Sequence, residues 1–184
     1  APVAALPAEL AIAQGLIHHG DPLPDAALVD QDGRTRSLAE WRGAPLAITF
    51  TYTRCPLPEF CPRIDRQFAA AASAIEADPA LRGRAKLLTI SFDPEFDTPA
   101  VMKAHARSLG ADARVWTFAT GTREQIELFA ARFGVAVTRE GDTAADIMHN
   151  LRTIVAGPDG TVRALHSGSD WELNQLLDDL RAAR

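Results

Sequence analysis

Two cysteines are the residues of this chain best suited to chemistry. Cys55 and Cys61 are its only cysteines, and five residues separate them. Such a pair allows three chemistries: a structural disulfide, a redox-active thiol pair, or two ligands of a metal ion. A disulfide closing so short a loop would add little stability, because the loop-closure entropy that it removes is small. The spacing therefore favours redox chemistry or metal binding.

The residues around the cysteines predict a loop between a strand and a helix. Residues 46–52 are β-branched and aromatic, which is typical of a central strand, and Pro62 suits the first turn of a helix. Reactive groups of open α/β sheets gather in such loops, beyond the carboxyl ends of the strands. Because a positive helix N-terminus lowers the pKa of a nearby thiol, we expect Cys61 to have thiolate character.

The rest of the chain alternates between strand and helix patterns. The fold class predicted from this alternation is an α/β sandwich with a central mixed sheet and an N-terminal hairpin. The hairpin joins residues 27–29 and 35–37 through Asp32-Gly33, and a second hairpin at the sheet edge joins residues 151–156 and 161–166. Further strands are predicted at 86–92 and 115–119, and helices are predicted to begin near residues 62, 99, 123 and 170.

Length and composition predict one globular domain. Residues 1–21 are rich in Ala, Pro, Leu and Gly and are interpreted as an N-terminal arm, and residues 22–184 as the domain. Hydrophobic residues make up 47% and charged residues 23%, which is typical of a globular protein. The chain opens with Ala-Pro-Val rather than methionine, so we expect a signal peptide or membrane anchor to have preceded Ala1.

Charge and motifs exclude several function classes. The net charge is -5 without long runs of either sign, which argues against a nucleic-acid partner. No apolar stretch approaches the length of a membrane span. A Gly-rich phosphate loop and a Gly-x-Ser-x-Gly elbow are both missing from the sequence, so nucleotide binding and serine hydrolysis are unsupported.

Four motifs, taken in order, resemble the Sco/SenC family. They are Phe-Thr-Tyr-Thr-Arg-Cys-Pro at 50–56, Cys61-Pro62, Ser-Phe-Asp-Pro-Glu-Phe-Asp-Thr-Pro at 91–99, and His149 followed by the Pro-Asp-Gly turn at 158–160. The resemblance runs from about residue 22 to the C-terminus. It implies a thioredoxin-like fold, copper bound by two cysteines and a distant histidine, and a role in assembling the binuclear copper centre of cytochrome oxidase or in thiol-disulfide exchange in its service.

Carried over by motif, the resemblance implies that Cys55, Cys61 and His149 bind one copper ion, with Asp93 and Asp97 around the site. Two thiolates and an imidazole suit Cu(I) and can also hold Cu(II). Zinc is the weaker alternative, because it prefers a fourth ligand that Asp93 or water would have to supply. The family usually has three residues between its cysteines. The five found here are a departure that bears on copper affinity and redox potential.

The resemblance also implies partners and a location. The partners are a copper donor, the copper subunit of cytochrome oxidase or another copper acceptor, and a thiol-disulfide reductant. The implied location is the periplasm or another extracytoplasmic space.

Other interpretations of the same residues stay open. The runner-up function is a thiol-disulfide oxidoreductase using Cys55 and Cys61, although thioredoxin-type pairs have only two intervening residues. A peroxidase of the same fold ranks last. From its position alone, His149 fits a half-buried structural histidine better than a metal ligand, and only the match to the motif reverses this preference. Asp97 fits a helix-capping loop equally well. Met148 and the remaining histidines are interpreted as structural or exposed: His18, His19, His105 and His166.

Overall fold

A computed structural model describes residues 15–183. Residues 1–14 of the predicted arm therefore lie outside the described range. The helices are α1 (Cys61–Ala77), α2 (Pro99–Ser108), α3 (Arg123–Arg132) and α4 (Leu173–Ala182). The strands are β1 (Ala27–Asp30), β2 (Thr35–Ser37), β3 (Leu46–Thr51), β4 (Lys86–Ser91), β5 (Trp116–Thr120), β6 (Val137–Arg139), β7 (Ile147–His149), β8 (Arg152–Ala156) and β9 (Val162–Ser167).

Seven of these strands form one mixed sheet, in the order β2-β1-β5-β4-β3-β8-β9. Strands β3, β4 and β5 are parallel, whereas β1 and β8 run antiparallel to their central neighbours. The predicted hairpins are both present, β1–β2 on one side and β8–β9 on the other. The predicted fold class is confirmed.

Both faces of the sheet are covered, which explains why the central strands are so apolar. One core packs α1, α2 and α4 against side chains such as Ala47 and Trp116. The other packs α3 and the β6–β7 pair against Ile48, Phe50 and Ile90. Because successive side chains of a strand point to opposite faces, β3 contributes to both cores and is buried throughout.

Side-chain caps fix where several helical segments begin. Ser37 accepts a hydrogen bond from the Ala39 amide at the start of a short 3-10 turn. Thr98 and Thr122 cap α2 and α3 in the same way, at the helix starts that the sequence predicts near residues 99 and 123. Helix α1 begins one residue earlier than predicted, so Cys61 is its first residue and Pro62 follows in the first turn.

A two-stranded ribbon, β6–β7, is not predicted by the sequence pattern. It pairs three residues with three, with Val137 opposite His149. A strand of three residues is too short to display an alternation of polar and apolar positions. The ribbon nevertheless determines where His149 lies.

The pair of His105 on α2 and Asp65 on α1 predicts a pH-dependent stability. Their Nε2 and Oδ2 atoms lie 2.8 Å apart, with 21% and 6% of the side chains exposed. The hydrogen bond to Asp65 raises the pKa of His105. The contribution of the His105–Asp65 pair to the free energy of unfolding is therefore complete below about pH 6.5, the usual pKa of histidine. It is lost as the pH rises through the raised pKa of His105.

We expect His105→Gln to show a smaller fall in the free energy of unfolding than the parent protein between about pH 6 and about pH 8. Urea unfolding at both pH values measures it. The control is His19→Gln, which replaces an exposed histidine. An unchanged pH dependence in His105→Gln would contradict the prediction.

Candidate metal centre

The two cysteines lie at the turn from β3 into α1. Both are free thiols; Cys61 is buried, with 1% of its surface exposed, and Cys55 is half-buried. The amide of Cys55 donates to the Tyr52 carbonyl, 3.3 Å away. Residues 56–60 between the cysteines are exposed. One sulfur is therefore held inside the protein, and the other stands at the edge of an exposed loop.

The two thiols differ sharply in acidity. A hydrogen bond from the Cys61 thiol is the main cause that lowers the pKa of Cys55 to about 6. The same bond, together with burial and the nearby Cys55 charge, raises the pKa of Cys61. The prediction of thiolate character at Cys61 is therefore wrong, because the hydrogen bond with Cys55, burial and the charge of Cys55 together outweigh the helix N-terminus there. Cys55 is the more acidic of the two thiols.

His149, 88 positions beyond Cys61, lies beside the buried sulfur. Its Nε2 atom is 3.4 Å from Cys61 Sγ. Its Nδ1–H donates to the Asn150 carbonyl over 2.9 Å. Burial lowers the pKa of His149, which favours the neutral ring. Since the single proton of a neutral imidazole is then on Nδ1, Nε2 presents a lone pair toward the sulfur.

Aromatic side chains hold the imidazole in this position. The ring centroid of His149 is 4.7 Å from that of Phe92 and 5.6 Å from that of Tyr52. The Tyr52 hydroxyl also donates toward the carbonyls of Ala144 and Ile147, at 3.0 and 3.3 Å. Tyr52 therefore connects the end of β3, just before Cys55, to the segment that carries His149.

Arg139 ties the other strand of the ribbon to the main sheet. Its guanidinium donates to the Phe92 carbonyl just beyond β4. Its Nε also lies 3.1 Å from Glu127 Oε1 on α3, with only 12% and 11% of the two side chains exposed. The sequence pattern assigns no role to Arg139 or Tyr52. Only the tertiary contacts reveal that they position the ribbon.

The two predicted aspartates lie beneath the cysteine loop. Asp97 accepts from the Thr53 amide at 3.0 Å, from the Thr53 hydroxyl, and from the Ser91 hydroxyl at 2.5 Å. Asp93 pairs with Arg54, 2.6 Å from its Nε. Both carboxylates are buried. They fix Thr53 and Arg54, the two residues before Cys55, and the structure shows neither bonded to a sulfur.

The remaining candidates lie elsewhere. His105 pairs with Asp65, and His166 lies 2.6 Å from Asp179 on α4. The Met148 side chain is exposed over 62% of its surface. As the neighbour of His149 in a strand, it points to the opposite face of the ribbon.

The donors fit a soft metal ion, although they are not assembled around one point. Among residues 15–183, no three or more His, Cys, Asp or Glu side chains form a ready-made metal-binding group. Cys61 Sγ and His149 Nε2, 3.4 Å apart, can share one ion with metal–sulfur and metal–nitrogen bonds of about 2.3 and about 2.0 Å. Cys55, at the edge of the exposed loop in the same turn, is the third candidate donor, and sulfur and imidazole ligands both suit copper.

The sheet order, the helices on both faces and the thiol pair at the β3–α1 turn define a thioredoxin-like protein with a cysteine–histidine site. The family model described as SCO1/SenC matches residues 23–183. The chain belongs to this family, as the four motifs predict.

Relatives agree with this assignment. The mitochondrial SCO2 homologue of Bos taurus is 29% identical over 165 residues, which cover 85% of this chain and 58% of the relative. A structure of BsSco is described as that of a member of the Sco family of cytochrome c oxidase assembly proteins with a disulfide switch. It matches this chain with a TM-score of 0.75 at 24% identity, and the match covers 92% of this chain and 98% of the BsSco chain. The structure of Arabidopsis thaliana ScoI with copper bound matches with a TM-score of 0.73 at 21% identity, and the match covers 90% of this chain and 98% of the ScoI chain. At these identities, the two structures show a shared fold.

The acidity of the cysteines predicts selective alkylation. With a pKa of about 6, Cys55 is largely thiolate at about pH 7, whereas Cys61 stays a buried thiol. Iodoacetamide should therefore modify Cys55 first, with a rate that rises through a midpoint near the pKa of this thiol. Cys61→Ala should move this midpoint upward, because it removes the hydrogen-bond donor that stabilises the Cys55 thiolate. Mass spectrometry of peptides over a pH series checks both; faster labelling of Cys61 would contradict the assignment.

The hydrogen bonds of the Tyr52 hydroxyl predict that removing this hydroxyl destabilises the ribbon. Tyr52→Phe keeps the ring but leaves the Ala144 and Ile147 carbonyls without their donor, at a cost of about 1 kcal/mol. Urea unfolding measures this cost, and amide exchange of residues 137–149 should accelerate. Ser73→Ala is the control, because it removes an exposed helix hydroxyl that donates to Ala69. Equal effects in both variants would contradict the role of Tyr52.

Proposed function

We propose that this protein binds one copper ion through Cys55, Cys61 and His149 and handles it as cargo in the assembly of the copper centre of cytochrome oxidase. The observation that carries the proposal is the 3.4 Å separation between Cys61 Sγ and the lone pair of His149 Nε2. Cys55, whose pKa is lowered to about 6 mainly by its interaction with the Cys61 thiol, supplies the third donor.

Copper binding requires only small changes at these atoms. The proton of Cys61 must leave, so loading releases a proton and affinity rises with pH. The loop of residues 56–60 is exposed, which gives Cys55 room to turn toward the other two donors. His149 needs no change of protonation, because its Nδ1–H is already engaged with Asn150.

The surroundings favour copper over zinc. A closed zinc site takes four ligands, and the two aspartates that the motif places around the site are already engaged by other partners. Asp93 is paired with Arg54, and Asp97 with Thr53 and Ser91. Three soft donors without a fourth suit Cu(I), and the related Arabidopsis ScoI has been crystallised with copper bound.

The role in oxidase assembly rests on family membership. BsSco is described as belonging to a family of cytochrome c oxidase assembly proteins, and we extend that role to this chain. The partners we propose are a copper donor, a copper acceptor such as the oxidase copper subunit, and a thiol reductant. The location we propose is extracytoplasmic. Within residues 15–183, no helix has the length and apolar character needed to cross a bilayer.

The reduced protein should bind one Cu(I) per chain under anaerobic conditions. Replacing Cys55, Cys61 or His149 by Ala should each weaken Cu(I) binding more than about 100-fold, since a ligand counts for more than the supporting groups around it. Competition with a chromophoric chelator measures the affinity. The control is His166→Ala, which removes a histidine paired with Asp179. Unchanged affinity in His149→Ala would remove this residue from the site.

A second function is favoured by the different acidities of the two thiols, since the pKa of Cys55 is lowered to about 6 and that of Cys61 is raised. In this function Cys55 attacks a disulfide substrate, forms a mixed disulfide and releases one substrate thiolate, which takes a proton from water. Cys61, once deprotonated, attacks Cys55 Sγ, closes a Cys55–Cys61 disulfide and releases the second thiol. A thiol reductant regenerates the pair. Turnover that persists in His149→Ala and in the absence of copper would favour this enzyme over the copper carrier.

A further inference from the structure

A basic groove lies at the end of the sheet opposite the cysteines. It has a volume of ≈ 710 Å³ and includes Pro45, just before β3, and Lys86, the first residue of β4. The cysteines follow the other end of β3. Five cationic side chains line the groove against one acidic side chain, Glu40: Arg36, Arg42, Arg84, Lys86 and Arg114.

Two of the five cations are already neutralised. Arg36 lies 2.5 Å from Glu40 and 3.5 Å from Asp30. Its guanidinium also stacks 4.5 Å over the Trp41 ring, so it forms part of the wall. Arg114 lies 2.5 Å from Asp112.

The other three cations have no ion-pair partner within residues 15–183. Arg42 and Arg84 are exposed, and Arg42 only influences Asp25 through space. Lys86 donates to the Arg114 carbonyl and influences Asp112, the partner of Arg114, only through space. Three unpaired positive charges thus share one groove in a chain whose net charge is -5. Their mutual repulsion is relieved when an anion lies between them.

We infer that this groove binds a multivalent phosphate-type anion. Arginine forks match the oxygen geometry of phosphate, and a lysine adds a point charge. The volume lies in the range of small-molecule sites. The anion is either a free phosphate compound or the phosphate headgroup of a lipid, because both present the same oxygens. The groove is separate from the copper site, so the inference is independent of the proposed function.

Calorimetric titration of inorganic pyrophosphate into the full, metal-free chain tests the inference. The variant Arg42→Ala/Arg84→Ala should bind pyrophosphate at least about tenfold more weakly than the parent, because two charge-assisted contacts are lost. The matched control is Arg34→Ala/Arg107→Ala, which removes the same charge from exposed positions outside the groove. Arg42→Lys/Arg84→Lys should retain part of the affinity, because the charges remain but the forks do not.

A second arm distinguishes the sources of phosphate. Cosedimentation with phosphatidylcholine vesicles, with and without phosphatidylglycerol, measures binding to anionic headgroups. Pyrophosphate binding that depends on Arg42 and Arg84, without vesicle binding, supports a soluble phosphate ligand. Vesicle binding that depends on the same arginines supports a lipid headgroup. Failure to bind either probe, or equal losses in the groove and control variants, overturns the inference.

Discussion

The structure depends on one long-range contact, the approach of His149 to Cys61 across 88 positions of sequence. A three-residue strand in a two-stranded ribbon cannot hold this position alone, because isolated pairs of short strands are marginally stable. The ring of Tyr52 and its hydrogen bonds supply the missing restraint from the end of β3. Arg139 supplies a second restraint through the Phe92 carbonyl and Glu127. The position of the β6–β7 ribbon against the main sheet therefore determines the geometry of the site.

The two cysteines differ in burial and in acidity. Cys61, at the first position of α1, is enclosed and keeps its proton, whereas Cys55 at the loop edge is stabilised as thiolate by that same proton. One sulfur is anchored next to the imidazole and the other is open to solvent and to partners. This asymmetry suits copper carriage and thiol-disulfide exchange alike, since a cargo ion and a disulfide substrate must each reach the site from outside.

The buried carboxylates near the site hold the two residues that precede Cys55. Asp97 and Asp93 hold Thr53 and Arg54, so the loop enters Cys55 along a fixed path. Because these carboxylates are already engaged by their own partners, the donor set that we propose for copper is limited to Cys55, Cys61 and His149. At the opposite end of the sheet, Arg42, Arg84 and Lys86 concentrate positive charge. The two ends of one sheet therefore present different chemistry.

The sequence by itself determined the elements whose signals are local. Residues 46–52 predict β3 because a buried strand is apolar along its length, and Thr98 and Thr122 predict helix starts because capping involves neighbours three residues away. The motifs also placed the chain in its family. Only the tertiary structure decided that the β6–β7 ribbon exists, that it carries His149 to Cys61, and that Cys55 rather than Cys61 is the more acidic thiol. Burial and the partners of a side chain arise from segments distant in sequence, and no local pattern records them.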